Sequence, residues 1–165
     1  MPKVMKMHPV EMFQKLFEYN YAMTRRVWDS IDQITEKQFL QDDAYSRGSI
    51  RNLMAHLLHT DRRWLTGLKN LPDIRGQLKK YEEYLDRASL RADWEEVARD
   101  MTEYLDHLTD TELFENPAEI PAARWQVLLH VANHGTDHRA TILQKLHEFG
   151  APTFDQDFVL WLWGR

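Results

Sequence analysis

Apolar residues recur at spacings of three and four along most of the chain, the pattern typical of amphipathic helices. Four long segments carry this pattern: residues 9–34, 50–68, 90–109 and 122–149. Ser49 and Ser89 precede the second and third segments as candidate N-cap residues, and Gly150 follows the fourth as a stop. Strand-type alternation is not convincing anywhere. The chain is therefore predicted to be all-α, a single domain over residues 1–165 that forms a four-helix bundle.

The connections between these helices differ in length. Residues 69–88 and 110–121 are the two longer ones, and they leave the handedness and order of the bundle open. Thr35 and Gln38 have the spacing of a capping box, which predicts a short helical turn over 36–40. The C-terminal tail is acidic and then aromatic. We expect three of its side chains to pack over one end of the bundle: Phe158, Trp161 and Leu162.

The fourth helical segment contains three histidines within its apolar pattern. His130, His134 and His138 are four residues apart, so a helix stacks them along one side. On a helical wheel His134 and His138 fall within the apolar stripe, whereas His130 lies about 100° from its centre. Buried imidazoles need partners for their nitrogens, either groups on neighbouring helices or a shared cation. The spacing of four favours the cation.

A third ligand should come from a facing helix at the same level. His56 lies near the middle of the second helix, at the edge of its apolar stripe, whereas His107 lies near the end of the third. Its level along the bundle and the face of the helix on which it lies both favour His56 as the third ligand. The predicted site is therefore His56, His134 and His138 with open coordination positions, which is typical of catalytic rather than structural zinc.

Two carboxylates lie close to these residues in sequence. Asp61 interrupts the apolar face of the second helix, so it needs a buried partner, for which we expect an arginine. Asp137 directly precedes His138 and is either a solvated side chain or a second support for the site. Both are candidates to hydrogen-bond the ligand imidazoles from behind. Gly135, in mid-helix, costs about 1 kcal/mol relative to alanine and indicates either a close helix approach or a packing gap.

The amino-acid composition narrows the functions that are open to the protein. The chain has no cysteine, so any catalytic metal must be held by His, Asp or Glu. A net charge of −5 and the lack of a dense basic stripe argue against nucleic-acid binding. No apolar run of about 18 residues predicts a membrane span, and the N-terminal residues lack the apolar core of a secretory signal. The cytoplasm is the expected location.

More specific catalytic motifs are absent. HGTDH has the histidine spacing of a zinc peptidase, but Gly135 stands where the general-base glutamate would be. No helix offers the core Glu-x-x-His of a carboxylate di-iron bundle. There is also no Gly-rich phosphate loop and no G-x-S-x-G elbow. No catalytic residue is assigned.

Four segments together resemble the DinB (damage-inducible) family of four-helix bundles: LFEYNYAMTRRVWDSI (16–31), SIRNLMAHLLHTDRRWL (49–65), HVANHGTDHRATILQKL (130–146) and GAPTFDQDFVLWL (150–162). The resemblance implies a metal triad with one histidine on helix two and two on helix four, at His56, His134 and His138. It further implies zinc or nickel as the metal, frequent dimers, and ancestry shared with bacterial thiol-dependent S-transferases. Where many relatives have HHRGQ, this chain has DHRAT.

Two functions follow as hypotheses. The first is a metal-dependent enzyme whose ion lowers the pKa of a low-molecular-weight thiol for S-transfer, or activates water for hydrolysis. The second is a non-catalytic stress-response or interaction protein with a structural or vestigial metal, in which the aromatic tail docks a partner. The expected partners are a small-molecule substrate, the thiol and a second copy of the chain in a homodimer, with no nucleic acid and no membrane.

Overall fold

The computed structural model describes residues 7–164, which form four long helices and several short ones. In chain order the α-helices are α1 (Pro9–Ile31), α2 (Glu36–Leu40), α3 (Ile50–Leu68), α4 (Arg87–His107), α5 (Asp110–Leu113), α6 (Arg124–Glu148) and α7 (Phe158–Leu162). These residues contain no strand, which confirms the predicted all-α class. No helix in this part of the chain is long and apolar enough to cross a membrane.

The N-terminal ends of the helices follow from local capping. The Ser49 hydroxyl accepts a hydrogen bond from the backbone N–H of Asn52 at 3.2 Å, as expected for the start of α3. For α4 the predicted cap is wrong. Asp86 is the N-cap, and its carboxylate accepts from the backbone N–H of Ser89 at 2.7 Å, so α4 begins at Arg87. Aspartate caps as well as serine does, and it lies one turn earlier in the chain.

The four long helices form a ring in which each contacts two others. α1 packs against α4 and α6, and α3 packs against the same two helices, so α1 and α3 lie at opposite corners. Large side chains that are fully buried fill the interior between them, among them Trp28, Leu53, Trp94 and Leu128. The ring therefore places the middle of α3 directly beside the middle of α6.

Both longer connections contain short helical turns. Residues 69–88 include two turns of 3-10 helix, Arg75–Gln77 and Tyr81–Glu83, and the second of these packs against α3. Residues 110–121 begin with α5, which packs against α1 and α6. The second 3-10 turn matters most, because it lies beside His56.

The aromatic tail packs against the side of α1. The Tyr19 ring meets Phe158 and Trp161 edge-on, with centroid distances of 4.9 and 5.7 Å. The Tyr19 hydroxyl also donates to the backbone carbonyl of Gln156. Phe158 and Trp161 thus pack on the bundle, but on the side of α1 and not over a bundle end as expected, and Leu162 stays 46% exposed.

Candidate metal centre

Helices α3 and α6 bring the three predicted histidines together. His56 lies near the middle of α3, and His134 and His138 lie one turn apart on α6. One ring nitrogen from each lies within 4.8 Å of the other two. The Nε2 atoms of His56 and His134 are 3.0 Å apart, and the three ring centroids are separated by 4.4 to 4.9 Å. The cluster could therefore hold a metal ion.

The spacing of these nitrogens suits a tetrahedral ion. Zinc binds imidazole nitrogen at about 2.0–2.1 Å, which separates two ligand atoms by roughly 3.3 Å. The observed 3.0 Å between His56 and His134 is close to that value, and the three nitrogens all lie within 4.8 Å of one another. Three nitrogens at these separations are compatible with one shared ion.

Burial keeps these imidazoles neutral. Desolvation lowers the pKa of His56 to about 3 and the pKa of His134 to about 4. It also lowers the pKa of His138, although the negative charge of Asp137 partly opposes the change. Protons therefore do not compete for the nitrogen lone pairs at neutral pH, which favours metal binding.

Tyr81 holds the His56 ring from the side opposite α6. Its hydroxyl lies 3.1 Å from His56 Nδ1, which leaves Nε2 directed towards His134. One turn along α3, His59 Nε2 lies 3.2 Å from the Tyr84 hydroxyl in the same way. Two histidines three residues apart thus face two tyrosines three residues apart, and this matched spacing is the sequence pattern by which Tyr81 could have been found.

Arg47 is the second residue that the sequence patterns missed. It lies in the connection before α3, with a guanidinium nitrogen 3.5 Å from His56 Nε2. Its positive charge is among the causes that lower the pKa of all three histidines. No helical periodicity marks this position, since the segment is irregular.

Two further histidines that the sequence analysis weighed, His130 and His107, lie outside the cluster. His130 is exposed, and its ring lies 5.2 Å from the Trp64 ring and 5.9 Å from that of His134. His107 is at the end of α4, where its Nδ1 lies 2.7 Å from the Glu103 carbonyl. The structure thus places His56 next to α6 and leaves His107 out of the group.

Asp61 is buried against α1 and α6. It is 4% exposed and faces Tyr21, and burial raises its pKa to about 7. The expected arginine is Arg139, whose positive charge acts on this carboxyl and lowers its pKa. Among the described residues Asp61 makes no hydrogen bond to the three imidazoles, so its support of the ligands stays a prediction.

Asp137 is exposed and influences the cluster through its charge. It raises the pKa of both His134 and His138 without a hydrogen bond to either ring in the described part of the chain. The Nδ1 atoms of His134 and His138 are buried and have no partner in residues 7–164. The supporting role expected for Asp137 therefore also stays a prediction.

A neighbouring face of α6, about 100° around the helix from the histidines, is fixed to α1 by Arg139. This fully buried guanidinium donates to the Asn20 side-chain oxygen at 2.5 Å, to Thr24 Oγ1 at 3.3 Å and to Gln156 Oε1 at 2.6 Å. A Cβ on Gly135 would lie 2.7 Å from that Asn20 oxygen and 2.9 Å from Arg139. Gly135 thus reflects close approach, in this case to a side chain of α1.

The fold and the site define a class of protein: an all-helical bundle in which two adjacent helices form a three-histidine cluster that could bind a metal ion. The chain belongs to the DinB family, whose sequence profile matches residues 5–164. It is 23% identical over 158 residues to Protein DinB of Bacillus subtilis (strain 168), a match that covers 90% of this chain and 92% of that protein. The resemblance noted from the sequence is thereby confirmed.

Proposed function

We propose that the protein binds one divalent ion, zinc or nickel, through His56, His134 and His138, and that it is an enzyme of thiol S-transfer. The observation that carries the proposal is the convergence of three neutral imidazoles from two helices at separations that suit a tetrahedral ion. Three protein ligands with an open fourth position are the arrangement of catalytic zinc. Family membership is compatible with this function.

A divalent ion in this position would lower the pKa of a thiol or water that binds there. The protein contributes three neutral imidazole ligands, and Tyr81 orients one of them, His56. In the transfer, the sulfur forms a bond to an electrophilic carbon, the leaving group departs with the electron pair of the broken bond, and the thiol proton passes to solvent. In this proposal the sulfur comes from a low-molecular-weight thiol, which fits a chain without cysteine.

Access for a small molecule is available along α6. A groove of about 410 Å³ is lined by one residue of the cluster and its neighbours: His130, Asn133, His134, Thr136, Asp137 and Ala140. It is open to solvent along one side of the helix. The same opening would admit water, so hydrolysis is the competing reaction of this site.

A non-catalytic interaction protein is the second candidate function, favoured by the surface of α7. Three apolar residues in and directly after this helix are exposed: Val159 at 41%, Leu162 at 46% and Trp163 at 64%. Such a surface suits contact with another protein, including a second copy of the chain in a homodimer. In this alternative the metal would be structural or vestigial.

Metal analysis of protein purified without a His-tag tests the site. We expect about one ion per chain, and loss of the ion in His56→Ala, His134→Ala or His138→Ala because two imidazoles hold it too weakly. His107→Ala is the matched control and should keep the ion, since His107 lies outside the cluster. Full metal retention in the three variants would contradict the assignment.

A comparison of holo and chelated protein tests the reaction. Thiol transfer to a chromogenic aryl halide and hydrolysis of a chromogenic ester are measured at fixed pH, before and after metal removal. Transfer that requires the metal supports the proposed enzyme, and metal-dependent hydrolysis alone favours the competing reaction. Activity that survives complete removal of the metal rules out a metal mechanism.

A further inference from the structure

Arg47 places a positive charge beside the nitrogens that would hold a cation. Its guanidinium lies 3.5 Å from His56 Nε2, the atom that also faces His134. The side chain is exposed, and no carboxylate among residues 7–164 forms an ion pair with it. Within this part of the chain, an arginine with no acidic partner thus lies beside a nitrogen that would bind the ion.

The local backbone fixes this position. The side-chain amide of Asn52 donates to the Arg47 carbonyl at 3.0 Å, which ties the residue to the first turn of α3. Gly48 follows with a φ of +82°, a left-handed conformation that favours glycine, and Ser49 then caps the helix. The backbone of Arg47 is therefore held where the chain turns into α3, and its side chain extends from there to His56.

Charge decides what this arrangement can bind. Three neutral imidazoles leave a divalent ion with both of its positive charges, and a guanidinium close by would repel it. An anion between the two removes that repulsion. Guanidinium binds carboxylates through two parallel hydrogen bonds, and the negative charge of Asp137 near the cluster disfavours a more highly charged phosphate.

We propose that Arg47 binds a carboxylate on the thiol cosubstrate, whose sulfur is held at the three-histidine site. The inference rests on the proposed function and specifies its substrate class as a thiol that carries a carboxylate close to the sulfur. Arg47 is then a specificity residue, and the metal ligands hold the other end of the same molecule.

Two small thiols that differ in the carboxylate test the proposal. Cobalt-loaded protein is titrated with mercaptoacetate and with 2-mercaptoethanol, and the sulfur-to-cobalt absorption band gives each Kd. The wild-type preference for mercaptoacetate should fall about tenfold in Arg47→Met, because a charge-assisted hydrogen bond is lost. Arg47→Lys should keep part of the preference. The difference in intrinsic acidity between the two thiols does not affect the comparison, because the ratio of the same two Kd values is measured in every protein.

Arg75→Met is the matched control. It removes the same charge from another exposed connection, where Arg75 is paired with Asp73 at 2.5 Å. The preference should stay as in the wild type. An equal loss in both variants would show an effect of net charge alone, and an unchanged preference in Arg47→Met would overturn the proposal.

Acetate separates this inference from the proposed function. If neither thiol gives the sulfur band, thiol transfer fails, but acetate binding still shifts the visible spectrum of the cobalt ion. Acetate binding that weakens about tenfold in Arg47→Met would support the carboxylate site without the thiol. Equal acetate affinity in wild type and Arg47→Met would overturn it.

Discussion

Replacing Gly135 with alanine should destabilise the bundle, although alanine is the better helix former. Gly135 lies inside α6, where alanine would gain about 1 kcal/mol in helix propensity. The new Cβ would lie 2.7 Å from Asn20 Oδ1 and 2.9 Å from the Arg139 guanidinium. Both distances are too short for non-bonded contact, so one of these two side chains must move.

The cost of that movement follows from what Asn20 binds. Asn20 is buried and accepts a hydrogen bond from Arg139 at 2.5 Å, so displacing it weakens a bond to a buried charge. Such a bond is worth about 1.5–3 kcal/mol, and overpacking a filled core costs about 1–3 kcal/mol more. After the gain in helix propensity, we expect a net loss of about 2 kcal/mol in the free energy of unfolding.

Urea unfolding of the metal-free protein, followed by circular dichroism, measures this loss. Gly76→Ala is the control, since its Cβ would meet nothing within 4 Å, and it should change stability by less than about 0.5 kcal/mol. In an Asn20→Ala background Gly135→Ala should cost at least about 1 kcal/mol less, because the clashing oxygen is gone. A Gly135→Ala protein as stable as the wild type, or additive effects in the double variant, would refute the reasoning.

Three further predictions concern the cluster and the buried arginine. Tyr81→Phe removes the hydroxyl beside His56 Nδ1 and should weaken zinc binding about tenfold, as measured by competition with a chromogenic chelator. An unchanged zinc affinity would exclude an orienting role for Tyr81. Burial lowers the pKa of His56 to about 3 and of His134 to about 4, so below about pH 6.5 the unfolded chain binds more protons than the folded chain does. The metal-free protein should therefore lose stability as the pH falls below about 6.5. Urea unfolding should show about 1 kcal/mol per histidine lost by about pH 5, after allowance for their partial exposure, and a flat profile would contradict the shifts. Arg139→Met should lower the free energy of unfolding by about 3 kcal/mol, because it removes the positive charge on α6 that stabilises the charged form of the buried Asp61. The folded variant should still bind about one zinc. Loss of zinc by folded protein would link Arg139 directly to the site.

The helices could be predicted from the sequence because each has a long apolar stripe. The predicted segment 50–68 coincides with α3, and α6 lies within the predicted 122–149. The error at Ser89 has a local cause. Asp86 and Ser89 are both good caps, and periodicity does not distinguish them, because the direction from which the chain enters α4 decides the choice.

The histidines of the site could be predicted for the same reason, and their neighbours could not. His56, His134 and His138 lie on regular helices, so their faces and levels follow from the 3.6-residue repeat. Tyr81 and Arg47 lie in irregular connections, and their positions depend on how those segments fold back onto α3. For Arg47 no local pattern in the sequence carries that information, whereas Tyr81 could have been found only from the spacing that it and Tyr84 share with His56 and His59.

The segment HGTDHR in α6 contains two pairs of residues with the same spacing and different tasks. His134 and His138 face α3 and form the cluster, whereas Gly135 and Arg139, one residue further on, face Asn20 of α1. A rigid helix couples the pairs, so a displacement of α6 from α1 would move both histidines together. Their mutual spacing would be kept, and the 3.0 Å separation of His134 from His56 would change. The packing of α6 against both α1 and α3 therefore positions the two histidines relative to His56.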